Sequence, residues 1–526
     1  MTEYKTPGVY VKEISKFPPS VAGVATAIPA FIGFTEKTDY QLTAMRINSL
    51  LDYEKLFGVG PELELDKDGN LLKHKFVLYD SIRLFYDNGG GTCYVVSLGG
   101  YETDAFNAGQ YTKGLEPLKK VDEVTLLVAP DAAMLLNDEK QLGDVHKAML
   151  SQCVELGDRF AILDPKENDD LNTALNNFRE NVGSVGLSYG AAYYPYLKTT
   201  YTKDISFDEM LKNKDIGPKA KAFSHFKDYD KTAVDTVKEE LPSDAELDKF
   251  KETEITDANS KPEDVFEEYL GKKFQLLYND SSIEKDTFEN NDCGQKMLNR
   301  IIEAKNRKPL MAKAFAAQID GYAEKLAELQ DEASIIPPSG AIAGIFAATD
   351  SNKGVWQAPA NISIAAVADV TELISDKDQE NMNVDATSGK SVNAIRFFTG
   401  KGILVWGART LDGNSNEWRY VPIRRLFNYV EESVQKSTNW AVFQPNDANT
   451  WVKIQCQIEN FLNNLWRDGA LAGSTPDKAF YVKVGLDVTM TADDINNGYL
   501  IVEIGLAAVR PAEFIVLKFS HKVQEA

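Results

Sequence analysis

The feature that most constrains this fold is a nearly continuous apolar run, VTLLVA, at Val124–Ala129. Such a run is typical of a parallel strand buried on both faces, because helices cover both sides of a parallel sheet. A helical pattern at Gln141–Leu156 and a second short apolar run at Phe160–Leu163 follow it. This alternation of strand and helix predicts a small doubly wound α/β domain over residues 101–200.

The patterns elsewhere predict two further packed parts and an insertion. Residues 21–100 are expected to form a compact α/β unit, and residues 335–510 a dense mixture of helices and strands. Residues 201–334 are crowded with lysines and acids, which indicates a surface insertion. The predicted fold class is α/β and α+β, in several domains with extended terminal arms. The main helices expected outside residues 101–200 are Ser49–Phe57, His74–Asp87, Ser339–Ala348, Ile423–Thr438 and Thr450–Arg467.

Both ends of the chain are predicted to be arms. Residues 1–20 contain an alternating strand pattern between two proline-containing breaks, and residues 511–526 contain a second strand. A strand without a local partner frays or adds to a sheet elsewhere, so we expect pairing with other copies, the alternative being an edge strand of the same chain. The residues expected to make these arm contacts are Val9, Tyr10, Val11, Phe514, Ile515, Val516, Leu517 and Phe519.

The charge balance excludes nucleic acid as the main partner. The 526-residue chain has a net charge of −22 and a pI of about 4.8, whereas phosphate contacts need a basic surface. The N-terminus has no signal-peptide pattern and no apolar stretch is long enough to span a bilayer, so membrane insertion is not expected. The four cysteines are far apart in sequence, which favours folding in a reducing cytoplasm.

Four features were weighed as enzyme chemistry. Gly389-Lys390-Ser391 has the end of a phosphate-binding loop but lacks its first glycine, and Gly89-Gly90-Gly91 favours the end of a helix and a turn into a strand. Asp131 and Asp164 follow predicted parallel strands, where active sites gather, but capping of the following helix is favoured for both. No catalytic residue, cofactor or metal site is expected. A cytosolic enzyme built on residues 101–200 remains the alternative.

Several segments carry a more specific pattern. The most specific is PPSGAIAGIFAATDSNKGVWQAPAN at Pro337–Asn361. The other matching segments are Tyr4–Ile14, Ala27–Glu36, Asn88–Val96, Asp158–Pro165 and Asn393 through Lys522, which includes GILVWGARTL (Gly402–Leu411) and YVPIRRL (Tyr420–Leu426). Together they resemble contractile phage tail sheath proteins, a family that includes R-type pyocins and extracellular contractile injection systems. Residues 201–334 lie outside the resemblance.

The resemblance implies a structural role. Subunits would form six-membered rings stacked into a helical sheath around an inner tube protein, with baseplate and terminal cap proteins at the ends. Residues 21–100 and 335–510 would form the common sheath core, and the arms would join neighbouring subunits. The particle would assemble in the cytoplasm and act as a phage tail or a released extracellular particle.

The resemblance also implies that one core helix faces the tube through charge contacts. The predicted helices Ile423–Thr438 and Thr450–Arg467 both carry cations. The alternative is that these charges are solvated or paired within the chain. The tube-facing candidates are Arg424, Arg425, Lys436, Lys453 and Arg467.

Overall fold

The computed structural model describes residues 20–223, 226, 229 and 309–516. The chain divides into two compact units. The first comprises residues 1–61, 75–201 and 334–526, and the second comprises residues 62–74 and 202–333.

Strands and helices alternate through most of the part of the chain that the structure describes. The strands are β1 (Pro29–Gly33), β2 (Ala44–Ile47), β3 (Glu64–Leu65), β4 (Leu71–Leu72), β5 (Cys93–Ser97), β6 (Leu126–Val128), β7 (Phe160–Leu163), β8 (Gly190–Tyr194), β9 (Leu197–Thr199), β10 (Ile335–Ile336), β11 (Ile362–Ser363), β12 (Val367–Val370), β13 (Asn393–Phe398), β14 (Gly402–Val405), β15 (Phe480–Val484) and β16 (Val502–Leu506). The α-helices are α1 (Leu50–Phe57), α2 (Leu78–Asp87), α3 (Ala108–Leu115), α4 (Pro130–Leu135), α5 (Glu139–Leu156), α6 (Leu171–Asn181), α7 (Phe207–Met210), α8 (Gly217–Lys221), α9 (Tyr322–Ala333), α10 (Ser339–Lys353), α11 (Asp376–Asn383), α12 (Val421–Thr438), α13 (Ala448–Arg467), α14 (Pro476–Ala479) and α15 (Ala492–Asn496). Residues 309–316 are also helical.

A nine-stranded sheet forms the centre of the first unit, in the order β11-β14-β13-β8-β7-β6-β1-β5-β2. The strands from β13 to β5 run parallel, and antiparallel strands complete both edges. Successive side chains of β1 enter different apolar clusters: Ile32 packs with α5 and α6, and Phe31 packs with α2 and α10. Both faces are therefore covered, which explains why the central strands read as continuous apolar runs.

This sheet corrects the predicted domain division. Residues 101–200 supply β6, β7 and β8 in the middle of the sheet, so they do not form a small domain of their own. Pro29 of β1 pairs with Leu126 of β6, and Ala30 pairs with Tyr94 of β5. The doubly wound arrangement thus extends over strands from distant parts of the chain. Sequence patterns identify each strand, but they do not reveal which distant strand pairs with it.

Small residues allow α10 to lie against α2. A Cβ atom on Gly340 would lie 2.3 Å from the carbonyl oxygen of Ser81. One turn later, a Cβ atom on Gly344 would lie 2.5 Å from the carbonyl oxygen of Phe85. Only glycine permits so close an approach between two backbones. The prediction that the small-residue segment forms a closely packed helix is confirmed.

The short strands β9 and β10 bring together the two ends of a long segment, residues 202–333. Ile335 pairs with Lys198, and the backbone N–H of Thr199 donates to the carbonyl oxygen of Ser334 over 3.0 Å. The chain therefore leaves the first unit after residue 201 and returns at residue 334 from adjacent positions.

The second unit has its own apolar cluster. It contains the two-stranded β3–β4 sheet, the short helices α7 and α8, and α9. Leu65 and Leu71 of the sheet pack with Met210, Phe315 and other apolar side chains of this unit. The predicted insertion at residues 201–334 nearly coincides with the longer segment of this unit, but residues 62–74 belong to it as well.

The C-terminal part of the first unit is built around two long helices and a hairpin. One face of α13, including Ile458 and Leu462, packs on α12 and the β15–β16 hairpin through a separate apolar cluster. Val21 is buried in the same cluster, and the N–H groups of Ala22 and Val24 donate to serine side chains of α12. The first described residues are thus fixed to this part of the molecule.

The predicted arm strands are only partly described. Val9, Tyr10 and Val11 lie outside the described residues, as do Leu517 and Phe519. Phe514, Ile515 and Val516 are described, form no strand with the other described residues, and are exposed.

Candidate functional site

The two acids that are candidates for enzyme chemistry are buried just beyond the ends of β6 and β7. Asp131 accepts hydrogen bonds from the backbone N–H of Phe34 over 2.7 Å and of Val77 over 2.8 Å. Val77 is the residue before α2, so this carboxylate caps that helix. Burial raises the pKa of Asp131 to about 7, against hydrogen bonds from Phe34 and Val77 that lower it.

Asp164 has the same relation to another helix. Its carboxylate accepts from the N–H of Ser339 over 3.0 Å and from the Ser339 hydroxyl over 2.5 Å, at the start of α10. Burial raises the pKa of Asp164 to about 7, against these two hydrogen bonds. The prediction of a capping role is confirmed, but the expected helices were wrong. Each acid caps a helix distant in sequence instead of the next one, because parallel strands bring distant helices to one sheet edge.

The two glycine-containing motifs also have structural roles. Asn88 ends α2 and Gly89 has φ = +93°, so the glycine run turns the chain from helix to strand as predicted. Lys390 is buried, and its ammonium group donates to the carbonyl oxygen of Arg179. The element immediately before Gly389 is the helix α11, and the strand β13 follows the motif, so it lacks the strand–loop–helix frame of a phosphate-binding loop.

The described residues contain no group of three or more His, Cys, Asp or Glu side chains placed to hold a metal ion. No described helix combines the length and apolar character needed to cross a bilayer.

Arg425 connects α12 to α10 and to the segment before β1. Its guanidinium forms two hydrogen bonds to Asp350 of α10, at 3.0 and 2.5 Å, and lies over the ring of Phe346. It also donates to the carbonyl oxygen of Thr26 over 2.9 Å. The side chains of Arg425 and Asp350 are 3% and 5% exposed, so this is a buried ion pair within one subunit.

Arg424 is equally enclosed. Its guanidinium donates to Asn428 over 2.8 Å and pairs with Glu431, and its Cζ lies 4.1 Å from the centre of the Trp418 ring. Arg424 and Arg425 are predicted tube contacts, and their burial within one subunit weighs against that role. Both lie near the start of α12 between the buried Ile423 and Leu426, a placement that could have indicated an inward role.

The remaining cationic candidates lie at the surface. Lys436 pairs with Asp122 and with Glu432, each at 2.7 Å. Lys453 and Arg467 are exposed on α13 and have no ion-pair partner among the described residues. Lys453, Cys456, Asn460, Asn464 and Arg467 share one exposed helical face, opposite the buried apolar face.

The β15–β16 hairpin has open edges. It is a two-stranded antiparallel sheet, and no other named strand in the described part of the chain pairs with it. Large exposed apolar side chains are concentrated in this C-terminal part. They are Val442, Phe443, Val452, Tyr481, Leu486, Val488, Tyr499, Ile501, Val509, Phe514, Ile515 and Val516. Open strand edges beside exposed apolar side chains are features of a surface that binds another chain.

Comparison with known proteins agrees with this picture. Residues 414–522 match the family model described as the phage tail sheath C-terminal domain. The chain is 25% identical over 211 residues to the tail sheath protein of Vibrio phage KVP40, covering 39% of this chain and 29% of that protein. It is 23% identical over 185 residues to the tail sheath protein of Enterobacteria phage T4, covering 35% of this chain and 27% of that protein. The match thus spans less than a third of each of these two curated relatives.

The structural similarity extends over nearly the whole chain. The sheath complex of an extracellular contractile injection system, PVC, in its contracted state is 27% identical with a TM-score of 0.59, covering 99% of both chains. The contracted helical sheath of the anti-feeding prophage is 26% identical with a TM-score of 0.58, covering 99% of this chain and 100% of that one. The chain is thus similar over nearly its whole length to sheath proteins of two contractile systems.

Proposed function

We propose that this chain is a structural subunit of a contractile sheath, which polymerises around an inner tube and contracts to drive the tube through a target envelope. The observation that carries the proposal is the similarity over nearly the full chain to sheaths of two contractile systems. The subunits would stack as six-membered rings, with baseplate and terminal cap proteins as further partners. Assembly would take place in the cytoplasm.

The open hairpin is the proposed acceptor for the arms of neighbouring copies. Strand addition there would satisfy backbone groups at the outer edges of β15 and β16 and cover exposed apolar side chains. Two segments of the chain are suited to be donors, the N-terminal residues 1–20 and the C-terminal residues 511–526. Because each added strand is joined to its own subunit by a short segment, subunits could rotate as rigid bodies while the network stays connected.

The exposed face of α13 is the proposed contact with the tube. Lys453 and Arg467 lie on this face about 21 Å apart along the helix axis, from a rise of about 1.5 Å per residue. The asparagines between them add no opposing charge. Each ion pair at such a surface contributes about 0–1 kcal/mol, so the effect would depend on repetition over many subunits.

The second unit is the proposed surface insertion. The ends of its longer segment are adjacent in the first unit, so we expect the first unit to fold when that segment is replaced. Replacing residues 203–330 and residues 62–74 by Gly/Ser linkers tests this role. Tubes that form and contract normally would support surface decoration, whereas loss of assembly or contraction would show that the unit belongs to the contractile machine.

The alternative of an enzyme on the central sheet is less well supported. Its two candidate acids are buried and cap helices, and the lysine of its loop motif binds a backbone carbonyl group. The two carboxyl groups and the lysine ammonium group therefore all make contacts that stabilise the fold.

Electron microscopy of the purified chain tests the proposed function. We expect hollow tubes whose wall repeats as stacked rings when the protein is concentrated. A chain that stays monomeric under all assembly conditions, alone and with the inner tube, would contradict the proposal.

A further inference from the structure

Glu513 lies where the described C-terminal segment leaves the body of the first unit. Its carboxylate accepts two hydrogen bonds from the Arg409 guanidinium, at 2.8 and 2.6 Å. The side-chain amide of Asn383 donates to it over 2.9 Å, and the Tyr420 hydroxyl donates over 3.1 Å. Four donor groups from three separate segments therefore meet at one carboxylate.

The groups that hold Glu513 are themselves fixed. The Arg409 side chain is 5% exposed, and its guanidinium also donates to the carbonyl oxygen of Asn383 over 3.0 Å. The backbone N–H of Arg409 donates to the side-chain oxygen of Asn393 over 2.8 Å, at the start of β13. Arg409 thus links Glu513 directly to the central sheet.

The carboxylate is held in its charged form. Burial raises the pKa of Glu513, but hydrogen bonds from Arg409 and Asn383 outweigh it and lower the pKa below the usual value. A bidentate arginine–carboxylate pair fixes the orientation of the carboxylate as well as its position, because both N–H groups must align with both oxygens.

The side chains immediately after Glu513 are exposed to solvent. Phe514, Ile515 and Val516 are 73%, 79% and 76% exposed, although all three are apolar. The anchored Glu513 is therefore followed directly by three apolar side chains that the described part of the chain leaves mostly exposed.

We infer that Glu513 is a positioning residue that fixes where, and in which direction, the C-terminal arm leaves the subunit toward a second copy of this chain. This inference rests on the proposed function. Arg409 and Tyr420 belong to two motifs, GARTL and YVPIRRL, that the resemblance singled out. Their shared contact with Glu513 gives these motifs a common role.

The physical advantage is pre-organisation. A strand whose first residue is fixed loses less conformational entropy when it joins a neighbour's sheet than a strand whose first residue is mobile. The same anchor keeps the origin of the arm constant relative to the central sheet when neighbouring subunits rotate.

The test compares Glu513→Gln with the wild-type full-length chain. Glutamine keeps the shape but can accept on only one oxygen, so Arg409 loses its paired carboxylate. We expect the protein concentration needed for half-maximal tube formation to rise about tenfold, equivalent to about 1.4 kcal/mol. We also expect faster hydrogen–deuterium exchange of residues 511–516 in the soluble chain.

Two further variants make the test specific. Asp376→Asn is the matched control, because Asp376 also pairs with an arginine, Arg396 at 2.8 Å, but is 94% exposed. It should leave tube formation and exchange at residues 511–516 unchanged. Tyr420→Phe removes only one hydrogen bond to Glu513, so it tests the anchor with little risk to folding and should raise the assembly concentration about two- to threefold.

The outcomes separate this inference from the proposed function. If Glu513→Gln and Tyr420→Phe assemble like the wild type, or if exchange at residues 511–516 is unchanged, Glu513 does not set the arm. If the wild-type chain forms no tubes, the proposed function is contradicted, and the exchange measurement alone decides whether Glu513 anchors this segment.

Discussion

The central sheet and the C-terminal hairpin differ in how far their strands are paired within the chain. Every strand from β13 to β5 has a partner on both sides, and helices cover both faces. The hairpin of β15 and β16 has two strands, and large apolar side chains beside it are exposed. The first region satisfies its own backbone groups within one chain, whereas the second leaves groups for which other chains are the proposed partners. Stability of the subunit and assembly of the polymer should therefore respond to different substitutions.

Deleting residues 1–15 should produce the largest effect on assembly and almost none on folding. The cut leaves intact the buried Val21 and the hydrogen bonds of Ala22 and Val24 to α12. We expect an unchanged circular dichroism spectrum and unfolding midpoint, with tube formation abolished in electron micrographs. Deleting only residues 1–3 is the control and should preserve tubes. Normal tubes from the longer deletion would remove the distinction between the two regions.

Gly344→Ala should give the largest loss of subunit stability. The added Cβ atom would lie 2.5 Å from the carbonyl oxygen of Phe85, so α10 and α2 would have to move apart. We expect a decrease of about 3 kcal/mol in the free energy of unfolding, measured by denaturant titration, even though alanine favours helices.

Gly91→Ala is the control for this substitution, because a Cβ atom there would have no neighbour within 4 Å. It should change the free energy of unfolding by less than about 0.5 kcal/mol. Equal effects at the two glycines would mean that close packing of α10 on α2 does not limit the stability of the central sheet.

Sequence patterns predicted the individual elements well where the signal was local. The apolar run at Phe160–Leu163 is β7, and the helical period at Leu171–Asn181 is α6. The predicted helix at His74–Asp87 begins later, at Leu78, because Val77 is held outside the helix by the distant Asp131. Such long-range contacts have no local pattern in the sequence.

The tube-facing candidates illustrate the same limit. The sequence placed Arg424 and Lys453 on helices correctly, but the direction of each side chain depends on its distant neighbours. Arg424 is enclosed by Trp418 and Tyr189, whereas Lys453 is exposed. The arm residues 9–11 and 517–519 lie outside the described structure, so their pairing stays a prediction.

Asp131→Asn should destabilise the subunit more than Asp164→Asn. Both oxygens of Asp131 accept from backbone N–H groups, so an amide would place N–H against N–H at a cost of about 2–3 kcal/mol. One oxygen of Asp164 accepts from the Ser339 hydroxyl, which can rotate and accept from an amide instead. We therefore expect a loss below about 1 kcal/mol for Asp164→Asn, measured by denaturant titration at pH 8, where both wild-type carboxyl groups are ionised. Equal losses would contradict this account of the two caps.

The Asp164 substitution should also alter the pH dependence of stability. Its folded pKa is raised to about 7, so its contribution is fully present below the ordinary pKa near 4 and is lost as pH rises through 7. The wild-type chain should thus lose more free energy of unfolding between pH 5 and 8 than Asp164→Asn. An identical slope in both proteins would show that this carboxyl group does not titrate there.

Reversing the charges of Lys453 and Arg467 to glutamate should have the smallest effect on stability. Both are exposed and unpaired within the described residues, so the free energy of unfolding should change by less than about 0.5 kcal/mol. Co-sedimentation with the inner tube should nevertheless weaken. The matched control reverses Lys55 and Lys113, which are exposed on other helices of the first unit. Equal binding by both double variants would exclude α13 as the tube contact.

The pairing of β9 with β10 has a consequence for how the chain can change in length. The two strands hold residues 198 and 335 side by side, so the intervening segment behaves as a closed loop. The entropy cost of closing a flexible loop grows only with the logarithm of its length, about 0.6 kcal/mol for each doubling. Large gains or losses of sequence at this position would therefore change the folding free energy of the central sheet little, so this position should tolerate segments of different length.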